Sequence, residues 1–244
     1  MIKLEHVVLA SPEQMEFIIE GMRNPMNSWD KSDSGNGCDS GLCSGPCAFS
    51  PQWCGNTPRY VLNENDYTLM QKLSKAGTDH RKYMRMMPAY VRITAPLYWW
   101  KEFDTYKVGT VANSCSTMHK IQEKEFTMDD FSHEHILNGM HSDVWINEDA
   151  FDGPLCPEEV LYDVVCILNK CRDKYLETSD KRYWWQMIQL LPSSYNQTRN
   201  VMMNYEVLEN IYKSRKEHKL DEWRDFCQWI ETLPYSELIT GGTE

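Results

Sequence analysis

The densest run of chemistry-bearing residues is AGTDHRKYMRMMPAYVRITAPLYWWKEFDTYKVGTVANSCSTMH, positions 76–119. It holds an Asp79-His80 pair, an Ala95-Pro96 step, the aromatics Tyr98, Trp99, Trp100 and Phe103, and Asn113 three residues before Ser116. Residues 89–94 alternate in the manner of a half-buried strand. Pro96 suits the first turn of a helix, where its missing N–H would have no partner and its φ is already helical. The run therefore reads as strand, tight turn, helix, then a polar loop over 109–117. Such units leave backbone N–H groups at a helix N-terminus, where phosphates bind.

A second cluster is Cys38, Cys43, Cys47 and Cys54, spaced C-x4-C-x3-C-x6-C. Four thiolates within seventeen residues can wrap one tetrahedral zinc ion or an iron–sulfur cluster. The spacing has no C-x2-C knuckle, so a plain cysteine-containing loop is the competing reading. Nine cysteines are an odd number, which argues against a disulfide framework. His133, His135 and His141 form a weaker, scattered group. Asparagines and histidines in a chain of this size more often cap helices or face solvent than bind ligands.

The elements that must position these residues follow from periodicity. An edge strand is expected over 2–10. A helix over 12–22 has Ser11 as its N-cap and Pro25 as its stop. The stretch 34–58 is rich in Gly, Ser, Pro and Cys and reads as a surface insertion. A helix over 65–76 ends at Gly77, and a short one spans 80–87. The region 123–152 is acidic and irregular, with one short helix. Apolar residues at three- and four-residue spacing mark a long helix over 157–176. Further helices are expected over 182–191, 198–216 and 220–233. On the third of these four, Asn204 and Arg215 would share a face three turns apart. Strands in the first half and helices in the second give an α/β or α+β domain, a single one across 1–244.

The composition narrows the partners. Lys and Arg number 25 against 36 Asp and Glu, a net charge of −11, which argues against duplex nucleic acid. A nucleotide-sized anion held by a few local cations remains compatible. No apolar run reaches the roughly 20 residues of a membrane span, and MIKLEHVVLA lacks the features of a secretory leader. A cytoplasmic protein is expected.

Spread over residues 60–230, the chain resembles the flavin-dependent thymidylate synthases, the ThyX family. Thr78-Asp-His80 stands where that family has Gly-His, and 95–103 (APLYWWKEF) resembles its strand-to-helix segment. Asn113 and Ser116 match an Asn-x-x-Ser step. Leu191-Pro192, Thr198-Arg199, Asn204, Asn210 and Arg215 fit the later motifs. The family's Arg-His-Arg triplet is absent, with Lys107 the one cation left in Thr105-Tyr106-Lys107-Val108. Its Glu is Ser114, its phosphate-holding Arg is Met118, its helix Gln is Glu102, and its later Asn-x-Arg is Asn204-x-Glu206. The segment GMRNPMNSWDKSD has no counterpart there.

The resemblance implies a sheet flanked by helices, FAD, and a homotetramer with active sites between subunits. It implies transfer of a one-carbon unit to a pyrimidine deoxynucleotide of the dUMP type, with NADPH and a folate as further reactants. Arg215 would be the catalytic electrostatic residue. Ser116, Ser114, Glu102 and Arg199 would bind substrate, and His80, Asn113, Lys107, Asn204 and Asn210 would contact flavin. Two other classes stand beside it. One is a catalytically inactive nucleotide- or partner-binding protein on the same scaffold, and the other a metal-stabilised interaction protein built on the Cys window.

Overall fold

The computed structural model describes residues 1–38, 58–146 and 153–241. Cys43, Cys47 and Cys54 of the Cys window lie outside the described residues. Cys38 is described only by its backbone, as the last residue of strand β2 (Gly35–Cys38). That strand pairs antiparallel with β3 (Pro58–Val61). A four-stranded sheet has the order β1 (Lys3–Leu9), β4 (Pro88–Pro96), β6 (Asn196–Asn204), β5 (Val111–Ser114). β4 carries the strict alternation of an interior strand, with Ala89, Val91, Ile93 and Ala95 all buried.

Compact packing divides the chain into two units. The first comprises Met1–Lys3, Ile93–Thr105 and Asn113–Arg199, and the second Leu4–Arg92, Tyr106–Ala112 and Asn200–Glu244. In the first, α5 (Pro157–Thr178) and α6 (Lys181–Leu190) bury Leu161, Val165, Leu168, Cys171 and Met187 against Ile121, Phe126 and Phe131. Its helix α4 (Leu97–Phe103) contributes Trp99, Trp100 and Phe103, each at most 1 % exposed. Their rings meet edge-on at 4.9 Å (Trp99 with Trp100) and stacked at 5.1 Å (Trp99 with Phe103). The aromatic run of the sequence is thus core, where such rings stabilise by buried area and edge-to-face contact.

The second unit holds α1 (Pro12–Arg23), α2 (Glu64–Lys75), α3 (Lys82–Met86), α7 (Tyr205–Arg215), α8 (Asp221–Glu231) and α9 (Glu237–Thr240). Its core includes Ile18, Ile19, Met70, Met84, Leu208, Ile211, Trp223 and Phe226. Ser11 caps α1 in a closed box: the Gln14 amide donates to its Oγ at 3.3 Å, and its own amide donates to Gln14 Oε1 at 2.8 Å. Replacing Ser11 with Ala should cost about 0.5–2 kcal/mol, read as a lower urea midpoint at unchanged slope. An unchanged midpoint would mean Gln14 alone holds the turn.

Three expectations are corrected. Residues 198–204 are strand, not helix: β6 runs from Asn196 to Asn204, and α7 starts only at Tyr205. Asn204 is therefore the N-cap of α7, its Oδ1 accepting the Val207 amide at 3.0 Å, and it shares no helical face with Arg215. The polar loop expected over 109–117 contains β5, so β6 is flanked by strands on both sides. Pro96 ends β4 as the residue before α4 rather than opening the helix.

Among the described residues, no helix is long and apolar enough to cross a membrane. Nor does any group of three or more His, Cys, Asp or Glu among them gather as metal ligands. His133 Nδ1 instead meets the Phe131 carbonyl at 2.9 Å, and His141 Nδ1 meets Asn138 Oδ1 at 3.0 Å.

Candidate functional site

In the first unit Arg199 is the candidate residue with the most side-chain partners described. Positions 197, 199, 201 and 203 of β6 alternate onto one face, where Gln197, Val201 and Met203 are buried and Arg199 is half-buried. A guanidinium on such a face needs partners to replace lost water. Arg199 Nε donates to Gln197 Oε1 at 2.9 Å, and Nη1 donates to Asp104 Oδ1 at 2.8 Å. Its carbon lies 4.2 Å from the centroid of the Trp100 ring, a cation–π stack on a fixed indole. Trp100 is held in turn by its Nε1–H, which donates to the Gln197 carbonyl at 2.9 Å.

Gln197 reaches the second element as well. Its Nε2 donates to the Cys115 carbonyl at 3.0 Å, and the Cys115 amide donates to the Thr198 carbonyl at 2.9 Å. The exposed residues Asn113, Ser114 and Ser116 flank this pinned Cys115. Ser116 Oγ accepts the His119 amide at 3.0 Å, which leaves its own O–H to donate. Glu102, half-buried in the last turn of α4, has its carbonyl occupied by Thr105. A single carboxamide thus bonds both Arg199 and the backbone of the segment that carries Ser114 and Ser116. The helix-N-terminus anion site expected at α4 is not available. The Leu97 and Tyr98 amides donate to the Tyr195 and Ser193 carbonyls, both at 3.0 Å.

In the second unit Arg215 closes α7. Its Nε donates to the Tyr106 hydroxyl at 2.9 Å, and its carbon lies 4.7 Å from the centroid of the buried Trp223 ring. The guanidinium is half-buried and oriented on an aromatic floor. Asn204 also touches the loop before β5: a Cβ on Gly109, at φ +78°, would come within 2.9 Å of its Nδ2. Only glycine allows that approach. Lys107, Asn210 and His80 are exposed, and none of them contacts Arg215 in the bonds just described.

Sequence reasoning missed a charged network beside α7. Arg85 Nη2 and Arg81 Nε reach Glu206 Oε1 at 3.1 and 3.3 Å, and Arg81 also pairs with buried Glu209. The Arg85 hydrogen bond is the largest effect on Glu206; against the opposing effect of burial, it and Arg81 hold the carboxyl below its ordinary range. The network answers the Glu that stands in the later Asn-x-Arg motif. Gln197 and Asp104 were also missed. The two-residue spacing of Gln197 and Arg199 would have revealed the first, had 196–204 been read as a strand.

No family model matches the chain, and no curated protein matches it. Solved structures do. Thymidylate synthase X (ThyX) from Helicobacter pylori, crystallised with FAD and dUMP, aligns with TM-scores of 0.57 and 0.59 in two structures at 16 % identity. These alignments cover 97 % and 100 % of this chain and 94 % and 99 % of those chains. A UMP/dUMP methylase, PolB from Streptomyces cacaoi with 5-Br dUMP, aligns with a TM-score of 0.53 at 11 % identity, over 99 % of this chain and 95 % of that one. The fold is that of the flavin-dependent thymidylate synthases across essentially the whole chain.

Proposed function

We propose that this chain binds a pyrimidine deoxynucleotide of the dUMP type together with FAD, and transfers a one-carbon unit to the pyrimidine. The observation that carries the reading is Arg199, an oriented guanidinium tied through Gln197 to the serine-bearing loop, on a fold whose neighbours were crystallised with dUMP or its bromo analogue. Arg199 and the Ser114 and Ser116 hydroxyls are a donor set for an anionic oxygen. Asn113, beside Ser114 on β5, and Glu102, on α4, belong to the polar surround of the nucleotide. Trp100 keeps the guanidinium flat and in place, so little ordering is left for the moment of binding.

The second unit suits a flavin dinucleotide. The Thr110 hydroxyl is buried with no hydrogen-bond partner, a deficit that a bound polar group would relieve. Lys107, exposed three residues earlier, offers an ammonium to a diphosphate. Asn204 holds this loop against α7 through the Gly109 contact, while His80 and Asn210 present exposed polar edges. FAD, when bound, supplies hydride chemistry that belongs to the cofactor and not to the protein. Arg215 contributes a permanent positive charge at a fixed position, the type of group that stabilises negative charge as it grows on a pyrimidine oxygen. A folate donor, NADPH and a tetrameric assembly complete the proposal.

Thr105-Tyr106-Lys107 in place of the Arg-His-Arg triplet, and Met118 in place of the phosphate arginine, favour a second reading, a nucleotide-binding protein without turnover. One experiment separates them. The purified protein is titrated with FAD and with dUMP, its mass is measured by light scattering, and deuterium or tritium release from C5-labelled dUMP is followed with folate and NADPH. Binding of both ligands by a tetramer with label release is expected. Binding without release would leave the second reading, and a colourless monomer indifferent to both ligands would end both.

A further inference from the structure

Within the second unit, a pocket of about 200 Å³ opens between the end of β1, the strand β3 and the turn before α9. None of the candidate nucleotide or flavin residues lines it. Its apolar lining includes Met15 and Met87, both buried, and half-buried Leu9. Three tyrosines, Tyr60, Tyr205 and Tyr235, add aromatic walls. Two of their hydroxyls are engaged: that of Tyr205 donates to the Pro234 carbonyl at 2.7 Å, and that of Tyr60 is hydrogen-bonded to Ser34. Tyr235 sits at φ +58°, where a bulky residue is strained. Glycine or asparagine would take that turn at lower cost, so what the strain maintains is the ring. The Tyr205 bond to Pro234 and the Leu238 amide, which donates to the Tyr235 carbonyl at 3.0 Å, hold the turn closed.

The charge of the pocket is set by Arg59, exposed and the one charged residue in the described lining. Burial raises the Tyr235 hydroxyl, and the Arg59 charge acts against that rise, as a guanidinium near the phenol does. Burial, with the Asp66 and Glu16 charges, pushes the Tyr60 hydroxyl up to about 12, so that phenol stays neutral. We propose that this pocket binds a small aromatic monocarboxylate, its ring against the tyrosines and its carboxylate on the Arg59 guanidinium. Size selects the ring: an apolar cavity of about 150 Å³ takes one benzene, so this pocket admits a single substituted ring and excludes a nucleotide. Arg59 selects the sign, since bare aromatic walls would suit a cation, whereas a planar guanidinium pairs with a carboxylate through two parallel N–H bonds. Asp66 and Glu16, acting on Tyr60, and Glu237, acting on Tyr205, disfavour a dianion such as phosphate.

The experiment titrates the full chain by calorimetry with benzoate, benzamide and benzylamine, three rings of one size that differ in charge. Benzoate should bind at least about tenfold more tightly than benzamide, and benzylamine least. Arg59→Gln, a change at an exposed position, should bring benzoate down to the level of benzamide. Tyr235→Asn keeps a residue that tolerates the left-handed turn and should weaken benzoate and benzamide alike by about threefold or more, leaving their ratio unchanged. Saturating dUMP should alter none of this. Benzylamine binding best, benzoate binding no better than benzamide, or a benzoate preference that survives Arg59→Gln overturns the proposal. So does displacement of benzoate by dUMP, which would put the carboxylate in the nucleotide site and leave the nucleotide reading intact. A parent protein that binds dUMP but none of the three rings overturns the pocket alone.

Discussion

Replacing Asp66 with Ala should lower the stability of the protein by about 3–5 kcal/mol, because it strands a buried arginine. Asp66 is 0 % exposed and Arg23 is 4 % exposed, and they meet at 2.6 Å. The second carboxylate oxygen accepts Ser32 Oγ at 2.8 Å and the Ser34 and Asp33 amides at 3.1 and 3.2 Å. Asp33 returns the favour at the start of α2, accepting the Asn65 and Asp66 amides at 3.0 and 3.2 Å. One carboxylate therefore fastens α1 to α2 and to the segment that leads into β2. Burial pushes the Asp66 carboxyl up, but hydrogen bonds from Ser34, Ser32 and Arg23 and the Arg23 charge outweigh it, and the group titrates below the ordinary aspartate range. A depressed folded-state pKa adds stability that is fully present above the unfolded value, near 3.9, and is lost as pH falls through the folded value. Thermal unfolding between pH 7 and pH 3 should show the parent declining at the acid end and Asp66→Asn declining less. Equal slopes, or a loss below about 1 kcal/mol for Asp66→Ala, would show that the network is dispensable.

Arg215→Ala should remove at least about tenfold of turnover or dUMP affinity, the equivalent of about 1.4 kcal/mol. Its effect on folding should include the lost stacking on Trp223 and the lost Tyr106 hydrogen bond, about 1–2 kcal/mol. The guanidinium lies 4.7 Å from the Trp223 centroid and 5.7 Å from the Tyr106 centroid, with Nε bound to the Tyr106 hydroxyl. Its plane is thereby set before any ligand arrives. Lysine has no plane to set, so Arg215→Lys should rescue little. Flavin reoxidation kinetics and dUMP titration on both variants beside the parent measure this. Nucleotide behaviour unchanged in Arg215→Ala would reduce the residue to a helix-end prop.

Much of the fold was legible in the sequence because its causes are local. The Ser11 box starts α1, and Gly77, at φ +101°, follows the C-cap of α2. The three- and four-residue spacing over Val160, Leu161, Val164, Val165, Leu168 and Cys171 falls on α5, where Leu161, Val165, Leu168 and Cys171 are fully buried. The alternation of Ala89, Val91, Ile93 and Ala95 is β4 itself. The scaffold resemblance, read from motifs scattered over 60–230, agrees with the solved structures that share the fold.

What the tertiary structure alone decided is β6 and everything that hangs from it. A stretch such as Asn-Gln-Thr-Arg-Asn-Val-Met-Met-Asn has no strong local preference, and helix and strand compete on nearly equal terms. Here β4 and β5, distant in sequence, flank it on both sides and settle the contest. The consequence reaches the site. With 196–204 extended, Gln197 and Arg199 fall on one face and Asn204 becomes a helix cap instead of a face-mate of Arg215. Candidate residues such as Arg199, Ser114 and Ser116 could be named from the chain by resemblance. Gln197, two residues away, becomes visible only once 196–204 is extended, and Asp104 could not be named at all, since a guanidinium chooses its partners by distance in space: Asp104 is 95 residues away in sequence and 2.8 Å away in the fold.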